Sequence, residues 1–317
     1  MSIRAAALGD CSTVTPTPAG YRSGFACFVG RPNAGKSTLT NALTGMKVAI
    51  TSSRPQTTRH AVRGIVHRPD AQLVLVDTPG LHKPRTLLGQ RLNDIVRETY
   101  ASVDVICFCV TADDKIGPGD RFIAAELAQV TTPVVAVVTK TDKVSSKQAV
   151  GEQLLAVSQL ADWAEIVPVS AVSDFQVGLL ADLLVGRLPA GPALYPDGEL
   201  TDEPEQVLIG ELIREAALEG VRDELPHSLA VTVDEVNLRE ERPEDKPLLD
   251  VYATVYVERD SQKAIVLGTG GARLKGVGTT ARHQIESLLG MRVFLHLHVS
   301  VAKDWQKDPK QLRKLGF

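Results

Sequence analysis

The chain has 317 residues, enough for about two domains, and its 44% hydrophobic and 23% charged residues are those of an ordinary globular protein with a sizeable core. No apolar run approaches the roughly 18–20 residues of a bilayer-spanning helix, which excludes that class. The formal net charge of −3 hides an uneven distribution. Residues 201–250 carry 15 Asp/Glu against 5 Lys/Arg, whereas residues 251–317 carry 11 Lys/Arg against 5 acids, so the C-terminal end is the one suited to a polyanion.

Residues 1–22 have no long apolar stretch ahead of their Thr/Pro segment and read as a flexible tail rather than a signal peptide. From 23 to 189, short runs rich in Val, Ile or Phe alternate with helical periodicities. The runs are FACFVG (25–30), LVLVDTPG (73–80), VDVICFCVT (103–111), PVVAVVTK (133–140) and AEIVPVS (164–170). Helical segments include GQRLNDIVRETYAS (89–102) and DRFIAAELAQV (120–130). This alternation predicts a doubly wound, mainly parallel α/β sheet with helices on both faces and ligands at the carboxyl ends of its strands. Cys27, Cys107 and Cys109 lie inside apolar runs, and Cys107-x-Cys109 lacks the spacing of a redox or zinc pair. With Cys11 they read as reduced thiols of a cytoplasmic protein.

Four prolines in LPAGPALYPDGELTDEPE (188–205) mark a linker over 190–203. Beyond it, residues 204–317 change pattern. A helix at 203–220 is followed by two alternating strands, HSLAVTVDEVNLRE and LLDVYATVYVERD. Then come a short helix at 261–267, a glycine turn, a helix over 272–290 and a last strand, RVFLHLHVSV. The order is α-β-β-α-α-β, an α+β unit. On the last strand His296 and His298 alternate with Leu295 and Leu297, which suits a polar sheet face better than a metal site.

GRPNAGKS (30–37) follows a strand and opens a helix, the setting that a phosphate-binding loop requires. Gly30 and Gly35 are expected to let the loop they bound, with Arg31, Pro32, Asn33 and Ala34, wrap phosphates with its available backbone N–H groups at the helix N-terminus. Lys36 would reach the outer phosphates, Ser37 would hold Mg²⁺, and Thr38 continues the site. The DTPG stretch (Asp77, Thr78, Pro79, Gly80) ends a strand, with Asp77 on the metal's water shell and the Gly80 N–H toward a γ-phosphate. TKTD ends a later strand. A buried Asp142 carboxylate can accept guanine N1–H and N2–H, which adenine does not offer, while the Lys140 stem would lie along the base. Ser170 and Ala171 end the next strand, where a backbone N–H can meet guanine O6.

In this order, each at a strand end, these motifs resemble those of translation-factor-related small GTPases, similar to Ras-like switch proteins. Asp142 and Ser170–Ala171 argue against a P-loop ATPase. The resemblance places the first switch at 53–66, where Thr58 or its neighbour Thr57 would complete the Mg²⁺ shell. Two positions depart from the pattern. The base-reading motif usually begins with Asn, whose amide tethers it to the phosphate loop; Thr139 stands there and is expected to loosen the site. Leu81 stands where Ras-like enzymes carry the water-orienting Gln, so intrinsic hydrolysis is expected to be slow, with Lys36, Thr58 and Gly80 as transition-state support. Asn33 resembles the Asn associated with potassium activation in related GTPases, and K⁺ is a further candidate cofactor beside GTP/GDP and Mg²⁺. His60, His67 and His82 are candidates by location only.

GTGG, comprising Gly268, Thr269, Gly270 and Gly271, sits between the two helices of the α+β unit. A GXXG turn there matches a type II KH module, which clamps a single-stranded nucleic-acid backbone. Arg273, Lys275 and Arg282 would supply salt-sensitive attraction. Together the two halves, with GRPNAGKST, QTTRH, DTPGLHKP, LYPDGELTDEP and VERDSQKAIVLGTGGARLK, resemble the Era family of GTPases over nearly all of 24–317. The resemblance implies binding to small-subunit ribosomal RNA, a role in small-subunit assembly, and peripheral association with the inner face of the plasma membrane; a monomer is expected. The rival expectations are an RNA-binding assembly chaperone with a mainly structural nucleotide, and a GTPase of tRNA modification. Thr269 departs from the basic residue usual in this turn.

Overall fold

The structure, a computed structural model, describes Pro18 and residues 20–51, 57–82, 84, 86–221, 225–239 and 247–316. Most of the expected tail with Cys11, and positions 53–56 of the first switch, lie outside these residues.

Six strands form the first sheet: β1 Arg22–Gly30, β2 Val62–His67, β3 Ala71–Asp77, β4 Val105–Thr111, β5 Val134–Thr139 and β6 Glu165–Pro168. Their spatial order is β2-β3-β1-β4-β5-β6; only β2 runs antiparallel to its neighbour. Every residue of β3, β4 and β5 is buried, because helices cover both faces. That burial is why these strands read as continuous apolar runs without alternation. The helices are α1 Lys36–Thr44, α2 Leu87–Tyr100, α3 Pro118–Leu127, α4 Lys147–Ser158 and α5 Val177–Val185. Their starts follow local chemistry. Thr86 and Ser146 accept from the first-turn amides of α2 and α4, and Pro118 opens α3 while Asp120 accepts from the Gly117 N–H.

The second sheet holds β7 Ala230–Leu238, β8 Leu248–Val257 and β9 Arg292–Val301 in that order, antiparallel then parallel. Helices α6 Glu205–Leu218, α7 Leu225–Ser228, α8 Asp260–Leu267 and α9 Ala272–Leu289 accompany it, and α10 Pro309–Lys314 follows. The buried Ile209, Leu212, Ile213, Ala216 and Ala217 of α6 share one core with Val251, Ala253 and Val255 of β8 and with Ala281 and Ile285 of α9.

The proline-rich segment is a strap along the edge of the first sheet. Gln72 accepts from the Leu194 and Tyr195 N–H groups at 2.6 and 2.9 Å and donates to the Tyr195 carbonyl. The Ile65 N–H donates to the Leu200 carbonyl at 2.9 Å, and the Thr201 hydroxyl to the Arg63 carbonyl at 2.6 Å. Edge groups of β2 that would otherwise be exposed are thereby satisfied.

The two halves are welded. Leu88 and Leu92 of α2 pack with Ala230, Trp305, Leu312 and Leu315, and the Trp305 indole donates to the Ser228 carbonyl at 2.9 Å. Arg59, fully buried, donates to the Leu229 carbonyl at 2.7 Å and lies over the Trp305 ring.

Candidate functional site

A cleft of about 700 Å³ opens at the carboxyl ends of β1 and β3. The loop from Gly30 to Ser37 forms its floor. Gly35 takes φ 84°, and a Cβ on Gly30 would stand 2.5 Å from the Cys109 carbonyl oxygen, so both positions require glycine. Asn33 also has positive φ, at 64°, and lines the cleft. The buried Lys36 ammonium donates to the Gly30 and Arg31 carbonyls at 3.3 and 3.0 Å, so the loop wraps its own lysine. Burial lowers the Lys36 pKa, against the pull of Asp77.

Three oxygens converge beside it. The Ser37 hydroxyl lies 2.7 Å from Asp77 Oδ2 and 2.9 Å from Thr58 Oγ1, which is 3.0 Å from the same Asp77 oxygen. Asp77 is fully buried, and its Oδ1 has no partner among the described residues. Burial raises its pKa, while Lys36, Ser37 and Thr58 oppose the rise. A desolvated carboxylate with an unused oxygen, next to two hydroxyls, is a donor set that fits a hard divalent cation such as Mg²⁺. Thr58 is the threonine that joins this cluster; the Thr57 carbonyl turns the other way and accepts from Arg214.

Gly80 approaches so closely that a Cβ would stand 2.6 Å from the Pro32 nitrogen. Leu81 is buried and its N–H donates to the Gly30 carbonyl at 3.2 Å, so the position after Gly80 serves the core and cannot handle water. Thr78 is also internal, with its hydroxyl on the Phe28 carbonyl at 2.6 Å. The side chain of Arg31 leaves the cleft: it bonds Asp120 and Asp114, each at 2.8 Å, and ties the loop to α3. Of the histidines singled out by location, His67 bonds the Glu199 carbonyl in the strap, His82 the Gly80 carbonyl, and His60 lies near Gly316.

At the base-reading end the expected loosening by Thr139 does not occur. Its hydroxyl donates to the Ala34 carbonyl at 2.8 Å and so tethers the two loops. Lys140 follows in left-handed conformation at φ 57° and lines the cleft, its pKa lowered chiefly by partial burial. Asp142 is exposed rather than buried as expected, since it lies past the end of β5, and its Oδ1 accepts from the Ser170 hydroxyl at 2.6 Å, which fixes the carboxylate beside the backbone of Ser170–Ala171.

The opposite wall was invisible in local patterns. Leu218, Glu219 and Gly220, at the end of α6, line the same cleft from the other domain. Helix α6 also grips the segment that leads into the first switch. Glu215 accepts from the Thr51 N–H at 2.9 Å and pairs with Lys47.

The second glycine turn has three positive φ values: 70° at Gly268, 58° at Gly270 and 79° at Gly271. It ends α8 and starts the 18-residue α9, with Thr269 exposed and the Gly271 N–H on the Gly268 carbonyl at 3.1 Å. Lys275 is exposed, and Arg282 lies 3.5 Å from Glu286. Arg273 is engaged within the chain. Its half-buried guanidinium donates to the Ala217 and Glu219 carbonyls at 3.1 and 2.8 Å, capping the C-terminus of α6. Ile265, 52% exposed next to the turn, is an apolar contact that the charge pattern did not reveal.

Family models match both halves: a 50S ribosome-binding GTPase model over residues 25–140 and a KH domain model over 224–306. GTPase Era of Streptomyces coelicolor is 70% identical over 312 residues, covering 96% of this chain and 98% of that protein. The chain belongs to the Era family of GTPases. GTPase Era of Mycolicibacterium smegmatis is 67% identical, covering 94% of this chain and 99% of its own. Two solved structures align at TM-score 0.89 and 34% identity, covering 93% of this chain and 99% of theirs. One is Era in complex with MgGDPNP and nucleotides 1506–1542 of 16S ribosomal RNA; the other is a point variant of Aquifex aeolicus Era bound to GDP·AlF₄⁻. The fold is therefore that of an Era GTPase, a P-loop GTPase domain followed by a type II KH domain, and the enzyme hydrolyses GTP.

Proposed function

We propose that the chain is a GTP-controlled RNA-binding switch acting on small-subunit ribosomal RNA during assembly of that subunit. In this reading the backbone N–H groups of residues 33–38 and the Lys36 ammonium hold the phosphates, with Gly30, Arg31 and Pro32 shaping the loop, and Ser37, Thr58 and Asp77 hold Mg²⁺. The Gly80 N–H meets the γ-phosphate, and Lys140, Asp142 and Ser170–Ala171 read guanine. A bound Mg²⁺ would neutralise charge developing on the outer phosphates. The chain's own part is to position: among the described residues no side chain in the cleft is placed as a nucleophile or as a base. Asn33 on the cleft wall makes K⁺ a further candidate. The GXXG turn would clamp an RNA backbone, with Lys275 and Arg282 supplying charge.

One observation carries the reading. Helix α6 lines the nucleotide cleft at Leu218–Gly220, and Arg273, two residues beyond the GXXG turn, holds the same helix end. A nucleotide and an RNA strand would thus press on one element. The neighbour bound to both MgGDPNP and a 16S fragment supports this assignment. Peripheral membrane association belongs to the proposal by family resemblance alone, a cytoplasmic location by the reduced thiols, and a monomer as the default; among the described residues no helix is long and apolar enough to cross a membrane. The test is crosslinking in cells followed by sequencing of the bound RNA. Contacts concentrated in small-subunit ribosomal RNA are expected; an even spread over transfer RNA would overturn the target.

A further inference from the structure

The metal-side threonine belongs to the GTPase domain, but the groups that hold it belong to the KH domain. Thr57 and Thr58 share a planar peptide, so whatever fixes the Thr57 carbonyl fixes the plane from which Thr58 departs. That carbonyl accepts from Arg214 of α6. Arg214 is in turn fixed by both oxygens of Glu211, at 2.8 and 2.6 Å, and is 1% exposed. On the other side of Thr58, the Arg59 guanidinium is anchored on the Leu229 carbonyl and over Trp305. The stretch leading into the switch is held by the next residue of the same helix, since Glu215 takes the Thr51 N–H and pairs with Lys47. Adjacent residues of one helix turn therefore bracket the segment between Thr51 and Thr57.

We propose that Arg214 is a positioning residue for GTP hydrolysis: by fixing the Thr57 carbonyl it holds Thr58 Oγ1 within reach of Ser37 and Asp77, so the metal site is complete only while the KH domain is docked. The inference rests on the assignment of Thr58 to the metal. A free switch would have to order Thr58 in each catalytic cycle; the bidentate Glu211–Arg214 pair orders it in advance. The effect is specific to the triphosphate state, because Thr58 can add to the metal shell only when a γ-phosphate is present.

The test uses the full chain and four proteins: wild type, T58A, E211Q/R214M and R214K. The double variant removes both charges together, leaving no unpaired buried ion. Loss of one charge-assisted hydrogen bond should lower kcat about tenfold and raise the Mg²⁺ concentration for half-maximal turnover by a similar factor. GDP affinity should stay within about twofold, since GDP does not engage Thr58. R214K, which keeps a charge opposite Glu211 but loses the two-pronged fork, should move both parameters the same way by a smaller factor, and it carries the test if the double variant does not fold. Unchanged kcat and Mg²⁺ dependence would overturn the inference, as would GTP and GDP affinities falling together, the mark of a merely structural role. If T58A itself left hydrolysis unaltered, the assignment of Thr58 would fail and the positioning with it; a slow T58A beside an unaltered E211Q/R214M would sink the positioning alone.

Discussion

The Thr139 hydroxyl donates to the Ala34 carbonyl at 2.8 Å and joins the base-reading loop to the phosphate loop. An Asn amide makes this tether in the usual motif; a hydroxyl one atom shorter makes it here because Thr139 is the last residue of β5 and Ala34 comes close to it. Replacing Thr139 by Val keeps the shape and removes the donor. Guanine-nucleotide affinity, read by calorimetry, should fall about fivefold to thirtyfold, the equivalent of roughly 1–2 kcal/mol for an orphaned buried carbonyl. Thr139→Asn should stay within about threefold of wild type. Equal affinity for the Val variant would mean that the tether contributes nothing.

The basic residues after the GXXG turn should separate by salt dependence. Each phosphate contact on a single strand contributes about 0.7 to the slope of log affinity against log salt. Lys275→Gln should flatten the slope by about that amount, and Thr269→Lys should steepen it by about as much. Arg273→Gln should leave the slope unchanged and lower the melting temperature, because Arg273 caps α6. A flatter slope for Arg273→Gln would return it to the RNA.

The Glu211–Arg214 pair predicts a pH window. Burial alone would raise the Glu211 pKa, but the Arg214 guanidinium outweighs it and holds the carboxyl below its ordinary 4.5. With a depressed folded value, the stabilisation is present above the unfolded pKa and is lost as pH falls through the folded one. At neutral pH E211Q should lose about 3 kcal/mol, the cost of breaking a buried pair. Thermal melts should therefore show a gap between wild type and E211Q at pH 7 that narrows as pH falls below the ordinary 4.5. A constant gap would contradict the ionised pair.

Burial pushes the Cys27 and Cys107 thiols well up and Cys109 to about 12. Of the four cysteines, at most Cys11 should react with a thiol reagent in the native protein, and all four after unfolding in guanidinium. Three or four reactive thiols in the native state would contradict the packing of β1 and β4.

The sequence exposed those parts of the site that are local. GRPNAGKS, DTPG and TKTD announce themselves because each is a strand end with a fixed chemistry. The edge strand β2 was hidden inside the switch segment, since QTTRHAVRG is polar at its start and β2 is only partly buried. The role of α6 was equally hidden. Arg214 and Glu215 look like the solvated face of an acidic helix, and only the tertiary fold buries them against Thr57 and Thr51. Arg273 misled for the converse reason: its position beside a phosphate-facing turn says nothing about a carbonyl 54 residues earlier in the chain.

The central claim is that one chain couples its nucleotide to its grip on RNA. The direct measurement is the affinity of the full chain for an RNA of nucleotides 1506–1542 of 16S ribosomal RNA, the fragment bound by the solved Era neighbour, with GDP and with a non-hydrolysable GTP analogue at fixed salt and Mg²⁺. The account predicts at least about tenfold tighter binding with the analogue, a coupling of roughly 1.4 kcal/mol. Equal affinities in the two nucleotide states would contradict it.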